Sequence, residues 1–408
     1  MFNRLKVYRD GMTGFCPRIG AGRGKAMGLR PHRRQATVPA IFPETDMTDF
    51  FFYGTLRHPP VLEAVLGHPV SGRPARLSGQ RVVESDAGPV LFAAEGSVAP
   101  GLLVTGLTEA DRARLDHYEA GEAIPMTLET ERGRVKALVY PGAAGSDQDW
   151  SFDDWVDGWG TITAETAGDI MRGFGINPPH AHLARLPMLL GRAHARIRAA
   201  NDMPRESRGV AEAGDVEVIA AREPYAHFFA VEEYDLRFRR FDGTMSPVVN
   251  RAVFVSGDAA TLVPYDPVRD RVLVIEQFRP GPFARGDRQP WLIEPIAGRI
   301  DAGENPRSTV LREAVEEAGL NVSEVREIMR YYSSPGTMTE FLYCFVALCD
   351  LPDDIAQTGG LVEEAEDIRG HLMSLDDLLK LVNSGEGANG PLVVTAQWLA
   401  LNRDALRL

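Results

Sequence analysis

Gly298 to Leu320 reads GRIDAGENPRSTVLREAVEEAGL, and this stretch decides how the rest of the chain is read. A helix over 305–318, closed by Gly319, puts Glu313, Glu316 and Glu317 three and four residues apart, so their carboxylates share one face a turn apart. Like charges at that spacing repel and weaken a bare helix. A divalent cation removes the penalty, and hard oxygen donors of this kind suit Mg²⁺ or Mn²⁺. Ahead of the helix, Gly298 and Gly303 let the backbone turn sharply and approach a ligand. The pattern predicts a metal site for handling a diphosphate. The plainer alternative is a solvated helix whose Arg312 pairs with its own glutamates.

The spacing resembles the Nudix hydrolase signature, G-x5-E-x7-R-E-U-x-E-E-x-G-U with U apolar, at every fixed position from Gly298 through Glu304, Arg312, Glu313, Glu316, Glu317 and Gly319. Its one soft departure is Ala314, where a larger aliphatic residue is usual and looser packing is expected. The resemblance implies an α+β fold, with a C-terminal α/β/α sandwich. It also implies Glu313 and Glu317 as principal metal ligands, joined by Glu316 and the Ala297 carbonyl. Arg312 would hold the glutamates, and Glu304 would orient Arg312.

Further residues narrow the branch. Pro335, fifteen residues past Leu320 in SSPGTMTE, resembles the ADP-ribose pyrophosphatases. So do VSGDAATLVPYDPVRDRVLVIEQFR, PWLIEPIAG, LVEEAEDIRGHLMSLDDLL and TAQWLAL, together covering about 215–408. The resemblance implies a nucleoside diphosphate sugar as substrate, ADP-ribose first, although enzymes for other such sugars share this frame. In LVEEAEDIR it implies Glu364 as the base on a loop, with Glu363 and Glu366 as rivals. It implies Arg279 and Arg251 on the diphosphate and terminal ribose, Glu340 on that ribose, and Phe228 stacked on adenine. From its strand alone, Phe228 reads equally well as a core aromatic. N-terminal strands that pair across two subunits imply a homodimer.

Composition sets outer bounds. The 408 residues allow two or three domains, and 44% hydrophobic with 25% charged residues is ordinary for globular protein. Residues 1–46 carry nine basic against three acidic side chains, leaving −19 for the rest of a chain whose net charge is −13. An acidic body argues against a nucleic acid polymer as partner. With no apolar run long enough for a span, no membrane is expected. Three scattered cysteines, Cys16, Cys344 and Cys349, suit a reducing cytoplasm. The basic segment 1–46 reads as a disordered extension from an upstream start, with Met47 as the native initiator, or as a mitochondrial-type presequence.

Outward from the box, four parts are expected: the extension 1–46, a mostly β domain over 47–149, a helical appendage and linker over 150–205 that packs on the first domain, and the Nudix half over 206–408. Within 47–149, FFYGTLR and the later LDHYEAGE resemble the γ-glutamylcyclotransferase family. That resemblance implies a glutamyl-binding turn of Tyr53, Gly54, Thr55 and Leu56, with Glu119 taking a proton as an α-amine attacks a side-chain carbonyl. GEAIPMTLE lacks the Tyr-x-Arg pair usual after that glutamate. A structural or ligand-sensing module is the alternative, as is ADP-ribose binding without turnover by the C-terminal half.

Overall fold

A computed structural model describes residues 48–407 except 86–87, 143–144, 202–205, 210, 357 and 362–365. The expectations for the extension 1–46, Met47, Glu363 and Glu364 therefore lie outside the described residues. Contacts divide the chain into two compact units between Trp155 and Val156. Among the described residues, no helix is long and apolar enough to cross a membrane.

The first unit is a closed barrel of five strands in the order Thr48–Phe52, Val90–Leu107, Gly72–Val83, Ile124–Thr130, Gly133–Val139. The first and last strands close it in parallel, Phe50 opposite Leu138. Inward-pointing Phe51, Ala75, Leu77, Leu103, Leu128 and Val139 fill the interior, following the period-two alternation of their strands. A helix begins on Pro59-Pro60 and ends at Leu66. A second, Glu109–Glu119, starts from a Thr108–Asp111 capping box.

The second unit is built on an eight-stranded sheet. Its path runs Val325–Tyr332, Phe341–Leu348, Ala259–Asp266, Arg271–Phe278, Ile368–Ser374, Thr358–Gly359. The hairpin strands Ala259–Asp266 and Arg271–Phe278 pair only through Asp266–Arg271 and Tyr265–Val272, then diverge. Two short strands line the opening, Trp291–Glu294 on one side and Ile296–Arg299 on the other. Pro295 stands between them, where a proline interrupts a ladder. The split brings Glu294 and Ala297 to one place.

Both faces of the sheet are covered, which is why Ala259–Asp266 is buried almost throughout. One face packs Leu262, Ile275 and Ile296 against Val310 and Ala314 of the box helix Pro306–Ala318. The other packs Val263, Val272 and Val274 under the helices Leu375–Ser384 and Gly390–Leu406. Ala314 itself is fully buried in this core. A separate antiparallel sheet holds Val216–Ala226, Ala230–Phe238 and Val249–Val255.

The helical segment corrects one expectation. Helices Thr161–Arg172 and Leu186–Asn201 belong by their contacts to the second unit. The reason is charge: Arg192 pairs with Glu223 and Glu232, and buried Arg198 pairs with Asp258 at 2.9 Å. Trp150 and Trp155 pack with Phe152 in the first unit, while Trp159 belongs to the second.

Candidate active site

The box helix starts from an Asn305–Ser308 capping box with Pro306 in its first turn, so its start is fixed beside the sheet split. Its first glutamate lies against backbone. A Cβ built on Gly298 would stand 1.7 Å from Glu313 Oε1, so only glycine leaves room for that carboxylate. Glu317, one turn on, is buried and accepts a hydrogen bond of 2.9 Å from the Ala297 amide. Gln277 Nε2 donates to its other oxygen at 3.4 Å.

Arg312 organises the rest. Its Nε and Nη2 meet the Glu304 carboxylate at 3.1 and 3.2 Å, and Nη2 also donates to the Arg299 carbonyl. Its Nη1 donates to Glu313 at 2.5 Å and Glu316 at 2.9 Å. Five donors on a planar fork make this bridging possible, which a lysine could not reproduce.

The carboxylates remain short of positive charge. Burial pushes the Glu313 pKa up to about 7, against the pull of Arg312, with Glu316 and Glu366 adding repulsion. Glu317 is raised well above the usual range, again by burial first, with Glu313, Glu366 and Glu294 raising it further. Among the described residues, no three acidic, imidazole or thiol side chains converge into a complete metal cage, because Arg312 takes Glu316 and shares Glu313. The donor set still fits a hard divalent cation: the Glu313 carboxylate lies against the Gly298 backbone, and buried Glu317 accepts from the adjacent Ala297 amide.

The other expected residues fall at different distances from this centre. Arg279 forks onto buried Glu294 at 2.6 Å, and its charge reaches Glu317 and Glu366. Glu340 faces Arg299 electrostatically. Phe228 is half exposed at a strand turn, with the Arg299 guanidinium 4.5 Å over its ring. Arg251 is exposed and donates to the neighbouring Asn250 carbonyl; within one chain it is not brought to the box. Glu366, a rival for the base, is described, and its carboxylate accepts from the Leu361 amide.

Sequence reasoning missed Glu294, Arg299 and the Gly359-Gly360 pair. A Cβ on Gly359 would lie 2.1 Å from the Glu317 carbonyl, so glycine here lets the short strand Thr358–Gly359 run against the end of the box helix. The signal was a glycine pair directly ahead of LVEEAE.

In the first unit, Tyr53 and Leu56 are buried, and a Cβ on Gly54 would meet Pro89 at 2.9 Å. Tyr53 donates to the Tyr140 carbonyl at 2.7 Å, and the Thr55 and Tyr118 hydroxyls share a hydrogen bond. Burial raises the Glu119 pKa to about 7. Its charge acts on Tyr53, Tyr118 and Tyr140, whose phenols are raised first by burial. A turn, three phenols and a carboxyl near neutrality are therefore gathered at one place.

Comparison with known proteins agrees with both units. The NUDIX domain model matches residues 256–393, and the model for γ-glutamyl cyclotransferase, AIG2-like, matches 50–157. The chain is 39% identical over 193 residues to the ADP-ribose pyrophosphatase of Escherichia coli (strain K12), covering 47% of this chain and 91% of that protein. It is 34% identical over 195 residues to the ADP-ribose pyrophosphatase of Haemophilus influenzae, covering 47% and 89%. A GDP-mannose pyrophosphatase of Salmonella arizonae is 35% identical over 153 residues, covering 37% and 78%. With the signature intact in its second unit and an AIG2-like domain in its first, the chain belongs to the Nudix hydrolase family.

Proposed function

We propose that the second unit hydrolyses the diphosphate of ADP-ribose to AMP and ribose 5-phosphate, with Mg²⁺ as cofactor and Mn²⁺ able to replace it. Water adds to one phosphorus as the P–O–P bridge breaks, so both products leave as monophosphates. The reading rests above all on Glu313 and Glu317, held by the Gly298 cradle and the Ala297 amide. Two bacterial relatives are ADP-ribose pyrophosphatases, which supports the substrate class.

Glu313, Glu317, Glu316 and the Ala297 carbonyl would hold the cations. When bound, these supply Lewis-acid stabilisation of charge on the diphosphate oxygens. Arg312 fixes the glutamates through Glu304. Arg279, released from Glu294 or bridging from it, offers a fork to a phosphate. Phe228 offers a face to adenine, and Glu340 accepts from the terminal ribose. Glu364 takes the proton of the attacking water, with Glu366 next to it on the same loop. A homodimer would bring Arg251 and Phe228 of one chain to the box of another. The exposed Val216, Val218, Ile219 and Phe238 on the three-stranded sheet support such pairing. The free thiols of Cys344 and Cys349 support a reducing compartment.

Purified protein with Mg²⁺, offered ADP-ribose, GDP-mannose and other nucleoside diphosphate sugars, should release AMP fastest from ADP-ribose. Glu313→Gln should lower turnover by orders of magnitude. A variant as active as wild type would remove the site assignment.

The Glu119 arrangement favours a second reading, γ-glutamyl cyclisation in the first unit, since its pKa of about 7 suits a base. Release of 5-oxoproline that vanishes in Glu119→Gln is its test.

A further inference from the structure

Residues 158–255 lie outside both family matches, yet the helix Leu186–Asn201 reaches the loop that carries the box. Four contacts converge on Arg299–Glu304. Met188 Sδ accepts from Arg299 Nη1 at 2.8 Å. His194 Nδ1 accepts from the Gly303 amide at 3.2 Å, and the same ring hydrogen-bonds the Asp301 carbonyl. Arg198 holds Asp258, whose carbonyl accepts from the Ile300 amide at 3.0 Å. Trp159 closes over Gly303, 3.0 Å from where a Cβ would stand.

Gly303 has φ +85°, a left-handed conformation open to glycine. His194 supplies the acceptor that this amide needs. Burial, then the Arg198 charge, keeps the imidazole neutral and able to accept. The next residue is Glu304, which accepts from Arg312, and Arg312 holds Glu313 and Glu316. The path from His194 to the carboxylates is therefore five residues long, through Gly303, Glu304, Arg312 and Glu313, with a peptide bond between Gly303 and Glu304 and hydrogen bonds at the other three links.

We propose that the helical segment 156–201 is an integral part of the hydrolase, and that His194 is a positioning residue. By fixing the Asp301–Gly303 turn, it sets Glu304 against Arg312 and so places the carboxylates that take the cation. This deepens the diphosphatase reading and rests on it.

The test uses the full chain with His194→Ala, His194→Asn, and Arg185→Ala as a control on the same segment, whose guanidinium donates to Glu223. Two readouts are taken: steady-state hydrolysis of ADP-ribose, and Mn²⁺ affinity by electron paramagnetic resonance without substrate. Residues that orient a metal site act at about ten- to a hundredfold. We expect His194→Ala to lose about that much in kcat and in Mn²⁺ affinity, with KM changed less than about threefold. His194→Asn, whose Oδ1 replaces Nδ1 as acceptor, should recover most of both, and Arg185→Ala should match wild type. A folded His194→Ala with wild-type kcat and Mn²⁺ affinity overturns the proposal. Equal losses in the Ala and Asn variants, tracking lowered Tm, overturn it as well. Wild type inert toward every nucleoside diphosphate sugar would sink the substrate reading alone, and the Mn²⁺ measurement would still decide the role of His194.

Discussion

A Cβ on Gly298 would stand 1.7 Å from Glu313 Oε1, so the backbone and the carboxylate occupy neighbouring space with none to spare. Gly298→Ala must therefore expel the Glu313 side chain, since the strand is pinned by its pairing with Ala260. Overpacking of this kind costs about 1–3 kcal/mol of stability. A displacement near 1 Å of a reacting group costs about a hundredfold in rate. Gly298→Ala should fold, as circular dichroism would show, and lose at least that in kcat. Full activity would mean Glu313 does not work from this position.

Glu317 is buried with its carboxylate facing Glu313, Glu366 and Glu294. Its raised pKa means the fold disfavours the ionised form, so at pH 8 the neutral amide of Glu317→Gln should stabilise the cation-free protein. Calorimetry in EDTA should show a higher Tm for the variant than for wild type. Adding Mg²⁺ should raise the wild-type Tm and leave the variant almost unmoved, since ligand binding stabilises only the protein that binds. The variant should be inactive. A lower Tm in EDTA would show that the Ala297 hydrogen bond outweighs the repulsion.

Arg312 contacts Glu304, Glu313, Glu316 and the Arg299 carbonyl with one guanidinium. Arg312→Lys keeps the charge and loses the fork. We expect kcat to fall by about ten- to a hundredfold with KM for ADP-ribose nearly constant, because placement and not substrate contact is lost. A KM rise with unchanged kcat would instead make Arg312 a substrate ligand.

The helix carrying these residues was legible because its signals are local: a glutamate stripe and a terminal glycine. The barrel strands were legible from alternation, and Pro59–Leu66 from its leading prolines. What escaped was long-range. Glu294 meets Arg279 only because two hairpin strands diverge, and a hairpin's register past its turn is not written in either strand. His194 meets Gly303 across 109 residues, with a helix reading as amphipathic whichever body it covers. The same limit misdirected the helical segment toward the first unit: an arginine-rich face names its need for acids, not which acids.

Glu119 gives a pH dependence whose sign can be worked out. Its pKa rises from 4.5 to about 7 on folding, through burial. Between those values the folded protein holds a proton that the unfolded chain has released, so stability contributed by this group falls as pH rises through 4.5–7 and is lowest above 7. The shift corresponds to on the order of 3 kcal/mol. Glu119→Gln should therefore leave stability at pH 4.5 unchanged and raise that of the first unit at pH 8, read by urea unfolding at both values. Any 5-oxoproline release by wild type should climb with pH through about 7 and be absent in the variant. Should Glu119→Gln destabilise the first unit at pH 8, the carboxylate is compensated in the fold, and a resting base near neutrality is no longer available to this site.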